Sequence, residues 1–188
     1  MNNLIKMKKI LFTLVMVLIT LSATAQKNKI NWMSLEEAEA AQAVAPKKIM
    51  MDVYTSWCGP CKLLDKNTFQ NPDVVKYVNE HYYAVKFNAE GNDKINFKNL
   101  VFENPDYDPS RSGRNAQHQL AGALKITAYP TIVFFNESGE TLLPVPGYKT
   151  PEQLELYLKL FLNNDHEKID TKEQWDLYQK DFVSEFKG

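Results

Sequence analysis

Cysteine is almost missing from this chain: of 188 residues only Cys58 and Cys61 carry thiols, both inside Trp57-Cys58-Gly59-Pro60-Cys61. Disulfide staples between distant segments are excluded, and so is a longer relay of thiols. Histidine is as scarce, with His81, His118 and His166 scattered singly, so the second pair of ligands a zinc site needs is lacking. The seven glycines include no G-x-G-x-x-G run, which removes the dinucleotide-binding fingerprint. Neither sign of charge dominates, with 22 basic side chains against 23 acidic, and nothing points to a nucleic-acid surface. Internal repeats and low-complexity linkers are absent. The apolar run Ile10 to Leu21 is short for a membrane span of ~20 residues.

That run has the setting of an export signal. Lys6, Lys8 and Lys9 precede it, and Ala23 and Ala25 of Ser22-Ala23-Thr24-Ala25-Gln26 fit an A-x-A cleavage site. Residues 1–25 are expected to be removed after Ala25, with an uncleaved N-terminal anchor as the alternative; no cysteine follows to carry a lipid. The mature chain, 26–188, then has 19 basic against 23 acidic side chains, a net charge of −4. Its 163 residues suffice for one domain with a sizeable core. Export places that domain in a periplasm or an extracellular space, where disulfides persist.

Along the mature chain, Ser34 to Glu37 reads as a capping box opening a helix to about Ala43. Ile49 to Thr55 is a nearly continuous apolar strand interrupted by one acid, Asp52. A helix follows the cysteines to about Lys66, and another restarts with Asn71 as N-cap and Pro72 in its first turn. Tyr82 to Asn88 is the next strand, completing a strand–helix–strand unit. Gly91 to Gln117 is rich in Asn, Asp, Pro, Ser and Arg but interrupted by Phe97, Leu100, Val101 and Phe102, so it reads as a packed excursion. A helix from about Asn115 to Lys125, strands Thr131 to Asn136 and Thr141 to Val145, and a helix from Thr150 to about Leu162 come next. A last helix over about 170–187 aligns Trp175, Tyr178, Phe182 and Phe186 as a docking face.

Two residues between cysteines allow a disulfide to close across the first turn of a helix. With Cys58 at that helix's N-terminus, free backbone N–H groups and the dipole favour its thiolate. Cys58 then attacks and Cys61 resolves, while Pro60 fits the first turn. Half of a zinc site and a purely structural disulfide are the alternatives; a loop this short gives the latter little stabilising value.

Several separated elements resemble the thioredoxin superfamily. Met50 to Lys62 is similar to that family's first core strand running into its active site, with Asp52 where the family carries a buried acid. Tyr129-Pro130-Thr131 resembles its cis-proline loop, and Val85-Lys86-Phe87-Asn88 the strand whose lysine lies beside the acid. The likeness covers about Ile49 to Pro151. It implies an α/β thioredoxin fold, a central mixed β-sheet flanked by helices, here with an insertion at about 91–117 before the cis-proline loop and an extra C-terminal helix; the core spans about 49–162. It also implies a redox-active Cys58–Cys61 disulfide and no other cofactor.

Under that resemblance Asp52, its pKa raised by burial, accepts the proton of Cys61; pairing with Lys86 alone is the lesser alternative. Lys86 is balanced between that role and an ordinary strand lysine. Trp57, Gly59, Pro60, Tyr129, Pro130 and Thr131 form the substrate-facing rim. Lys66 to Val74 is similar to the C-terminal periplasmic domain of the thiol:disulfide interchange protein DsbD, a subgroup that passes electrons outward from a membrane partner. Arg111, Arg114 and His118 in the insertion are read as a solvated loop in preference to a partner-recognition surface.

The expected activity is a secreted protein disulfide reductase, since Gly-Pro between the cysteines resembles thioredoxin. Its partners are protein disulfides and a membrane-embedded thiol donor, and it acts as a monomer. A disulfide oxidase or isomerase, and a binding module for a partner or for copper(I), remain as alternatives.

Overall fold

Successive side chains of a strand point to opposite faces, and in the central strands of this chain both sets are apolar. The computed structural model describes residues 29–187; the expected export signal and its cleavage site lie outside them. In chain order the elements are β1 (Trp32–Met33), α1 (Leu35–Val44), β2 (Lys48–Tyr54), α2 (Gly59–Leu63), α3 (Pro72–His81), β3 (Tyr82–Asn88), β4 (Ile95–Phe97), β5 (Leu100–Phe102), α4 (Gln119–Ala123), β6 (Thr131–Phe135), β7 (Thr141–Pro146), α5 (Pro151–Leu162) and α6 (Lys172–Asp181).

Five strands form one mixed sheet in the order β1-β3-β2-β6-β7. β1 and β2 run parallel to β3, whereas β6 is antiparallel to both β2 and β7. Ile49, Met51 and Val53 of β2 face one side, where Val85, Phe87, Val133 and Phe135 join them against Leu35 and Ala38 of α1 and Leu120 of α4. Met50, Ala84, Ile132 and Phe134 face the other and pack on Val74, Val75 and Val78 of α3 and Leu154, Leu158 and Phe161 of α5. A helical layer therefore covers each face, the central mixed sheet flanked by helices that the sequence implied.

Local chemistry sets most boundaries. Ser34 Oγ accepts from the Glu37 N–H (3.1 Å) while Glu37 accepts from the Ser34 N–H (2.8 Å), closing the expected capping box of α1. Thr150 and Gln153 do the same for α5, and Asn71 caps α3 ahead of Pro72. The turn between β6 and β7 requires Gly139, which has φ +71°.

Four features differ from expectation. β1 is too short to be seen in composition; its pairing with β3 defines it. The insertion holds a β4–β5 hairpin turning on Lys98 (φ 51°) and Asn99 (φ 61°), without a glycine to announce it. The helix expected over 115–125 is confined to α4, because His118 caps it and Lys125 leaves it with φ 56°. Finally, α6 stops at Asp181; Phe186 packs on Tyr77, at 5.5 Å between ring centres, from an extended tail.

Candidate active site

β2 ends at Tyr54, and the chain turns through Thr55, whose carbonyl accepts from the Cys58 N–H at 3.2 Å. That turn makes Cys58 the N-cap of α2, with Gly59 and Pro60 exposed in its first turn. Cys58 and Cys61 are joined in a disulfide with Cα atoms 5.3 Å apart. The Cys61 N–H donates to Cys58 Sγ at 3.1 Å. The two residues are 2% and 4% exposed, so burial does not distinguish them. Position does: a thiolate on Cys58 faces the free N–H end of the helix, and Cys61 lies one turn inside.

Asp52 lies mid-strand, paired in register with Lys86 on one side and Ile132 on the other, and is 1% exposed. Burial pushes its carboxyl up to about 7 against the opposing pull of Lys86. Lys86 Nζ is 3.7 Å from Asp52 Oδ2, too far for a hydrogen bond, and Asp52 Oδ1 has no donor among the described residues. Instead the ammonium of Lys86 binds Asp65 closely, with the rings of Trp32 and Tyr54 at 5.1 and 5.4 Å. Lys86 thus does more than reach solvent, and Asp65 holds it part of the way from Asp52.

On the facing loop the Tyr129–Pro130 peptide is cis. The Pro130 carbonyl accepts from the Gly147 N–H (2.7 Å), and Thr131 Oγ1 donates to the Ala128 carbonyl (2.8 Å). The Thr131 side chain is buried and fastens the loop from within. Tyr129 meets Trp57 edge to face at 6.0 Å, which joins the two halves of the site.

The insertion lies at this junction. Glu90 Oε2 accepts from Trp57 Nε1 and from the Asn115 N–H, both at 2.7 Å. The guanidinium of Arg114 lies 4.4 Å over the Trp57 ring. Gln117 Nε2 donates to the Ile126 carbonyl (3.0 Å) and reaches Tyr129 Oη (3.4 Å). Arg111, which pairs with Asp108 at 3.4 Å, and Arg114 are both exposed, so the solvated-loop expectation fails only for His118. His118 is 1% exposed: Nδ1 accepts from the Leu120 N–H and Nε2 faces the Asp93 carbonyl, which fixes the Nε2–H tautomer.

The residues picked from sequence thus gather in two sets, one around Cys58, Trp57 and Tyr129 and one around Asp52 and Lys86, linked along the chain by the end of β2. Sequence reasoning missed Trp32, Asp65 and Glu90. Asp65 and Glu90 are ordinary acids by composition, and only the approach of distant segments gives them partners. Among the described residues, no group of three or more His, Cys, Asp or Glu side chains is placed to hold a metal ion, and no helix is long and apolar enough to cross a membrane.

The family model of the thioredoxin-like domain matches residues 35–162. The chain is 26% identical over 130 residues to the thiol:disulfide interchange protein DsbD of Pectobacterium atrosepticum, covering 68% of this chain and 19% of that protein. To the DsbD of Klebsiella pneumoniae it is 31% identical over 106 residues, covering 55% and 14%. It therefore spans a fifth or less of these curated relatives. Among solved structures, a thioredoxin-fold protein from Helicobacter pylori superposes with a TM-score of 0.55 at 20% identity, covering 82% of this chain and 88% of that one. A thioredoxin from Thermus thermophilus gives 0.52 at 14%, covering 71% and 87%. These two likenesses concern the fold alone.

Proposed function

This chain belongs to the thioredoxin-like domain family, and on that premise we propose that it is a thiol:disulfide oxidoreductase that works outside the cytoplasm as a reductase of protein disulfides. The observation that carries this is the Cys58–Cys61 disulfide with Cys58 as N-cap sulfur, joined through Trp57 and Tyr129 to the cis-proline loop. Relatives bearing the name thiol:disulfide interchange protein support it.

From the dithiol form, the Cys58 thiolate attacks one sulfur of a substrate disulfide. That bond breaks, the displaced sulfur takes up a proton, and a mixed disulfide remains. Cys61 then loses its proton to Asp52 and attacks Cys58 Sγ. The Cys58–Cys61 bond forms, the second substrate thiol leaves, and two electrons have passed to the substrate. A carboxyl near 7 accepts and returns a proton at neutral pH, which suits Asp52 to this step. Lys86 biases Asp52. The substrate chain lies across Trp57, Gly59, Pro60 and the Tyr129–Pro130 backbone, and Thr131 positions that loop.

Electrons return from a thiol donor, for which a membrane-embedded partner is the proposal; no cofactor beyond the cysteine pair takes part. Both sheet edges are blunted, β1 by its length and β7 by Pro144 and Pro146, which supports a monomer. The test is insulin disulfide reduction by the purified protein, with its reduction potential. Activity and a potential near the ~−270 mV of thioredoxin are expected. Full activity in Cys58→Ser overturns the catalytic assignment, and a potential near ~−120 mV overturns the direction.

A further inference from the structure

Arg114 stands out among the cations of the insertion. Arg111 is paired with Asp108 and Lys94 with Glu103, while Lys98 sits in the β4–β5 turn. Arg114 is exposed and forms no ion pair with any described residue, yet its guanidinium lies 4.4 Å over the Trp57 ring. A cation on an indole face gains from the ring quadrupole, and the exposed guanidinium keeps N–H donors accessible to solvent. The platform beneath it is fixed as well. Glu90 holds Trp57 Nε1 and the Asn115 N–H with one oxygen, so the indole and the backbone next to Arg114 share an anchor. Gln117 ties the same segment of the insertion to Ile126 and Tyr129. The insertion thereby spans both halves of the disulfide site and leaves on its rim a positive charge, Arg114, with no ion-pair partner among the described residues.

We infer that Arg114 is a specificity-determining residue: it recognises a carboxylate on the partner protein close to the partner's cysteine. This rests on the oxidoreductase assignment and deepens it, naming acid-flanked protein disulfides as the preferred class. A guanidinium held against the indole loses less side-chain freedom when it binds a carboxylate, and bidentate charge-assisted bonds are the stronger kind. Trp57 adjoins Cys58 in the chain, so an anion bound by the guanidinium over its ring lies close in sequence to the reacting sulfurs. A lysine in that place of the partner meets Arg114 as a like charge.

The test uses three disulfide-linked model peptides of the same length, with Glu, Gln or Lys beside the cysteine. The purified protein is reduced with excess dithiothreitol, freed of it, and mixed with each peptide in single turnover, with products followed by mass spectrometry. The Gln peptide sets the reference rate for each variant. The Glu peptide is expected to react about three- to tenfold faster than the Lys peptide. Arg114→Glu is expected to reverse that order, and Arg114→Gln to bring the ratio near one, which keeps the test available should the Glu variant fold badly. Raising ionic strength to 1 M, where the screening length is about 3 Å, should also shrink the ratio. No charge preference in the unaltered protein, or a preference that survives both substitutions, overturns the inference while leaving the oxidoreductase assignment standing. Failure to reduce any peptide overturns that assignment, and this inference with it.

Discussion

Asp52 is held in the middle of a sheet with one oxygen lacking a donor among the described residues, so the protonated carboxyl is the form that burial favours. Unfolded, the group titrates in the ordinary aspartate range; folded, it titrates near 7. Between those values the folded state binds the extra proton, so this group's contribution to stability falls as pH rises through that window and levels off above it. Asp52→Asn should therefore flatten the fall and make the protein more stable at pH 8 by up to about 4 kcal/mol, as urea unfolding at pH 5 and pH 8 would show. The same substitution should lengthen the life of the mixed disulfide by about a hundredfold or more in quenched-flow trapping, since it removes the proton acceptor. Asp65 acts on this group from outside: its charge opposes ionisation of Asp52, and its close pairing with Lys86 draws the ammonium away. Asp65→Asn should thus move the pH profile of the resolving step to lower pH; an unchanged profile would remove Asp65 from the account.

At the scale of elements, strands and caps follow rules that sequence displays, while the insertion does not. β2 was legible as an apolar run with an acid in it, and α1, α3 and α5 from their caps. Thr150→Ala removes the capping box of α5, the helix that supplies Leu154, Leu158 and Phe161 to the core. It should cost about 1 kcal/mol and lower Tm by roughly 2–4 °C in a thermal melt. The β4–β5 turn was hidden because Lys98 and Asn99 take left-handed backbone angles without a glycine. The helix expected over 115–125 is shorter because the Asn115 side chain is engaged in a loop instead, accepting from the Asp108 N–H and donating to its carbonyl. Trp57 was legible as a rim residue, but its links to Glu90 and Arg114 depend on where the insertion returns.

For the whole molecule, the C-terminal tail closes the fold over a buried acid. Glu155 is 0% exposed and accepts from Ser184 and from the N–H groups of Glu185 and Phe186 (2.9 Å each), with Lys159 at 2.8 Å. Burial alone would raise its carboxyl, but Lys159 and the tail donors outweigh that and hold it below the ordinary glutamate range. Stability from this group is therefore present at neutral pH and lost as pH falls through its folded value, the opposite trend to Asp52. Truncation after Phe182 removes three of these donors and should cost about 2–4 kcal/mol in denaturant unfolding. In the intact chain, limited proteolysis should release the tail more readily in acid than at pH 7.

Cysteine arithmetic confined the sulfur chemistry to Cys58 and Cys61, and apolar runs and helix caps placed the main strands and helices with Asp52 inside β2, because each depends on neighbours in sequence or on a short period. The sheet order and the redox role of the pair were implied only by the family resemblance. Residue spacing cannot show which segments meet across tens of positions. The meeting of Trp57 with Glu90 and Arg114, the contest of Asp65 with Asp52 for Lys86, and the docking of the tail on Glu155 were decided by tertiary structure, since ordinary polar residues acquire such roles only when packing brings them together and excludes water.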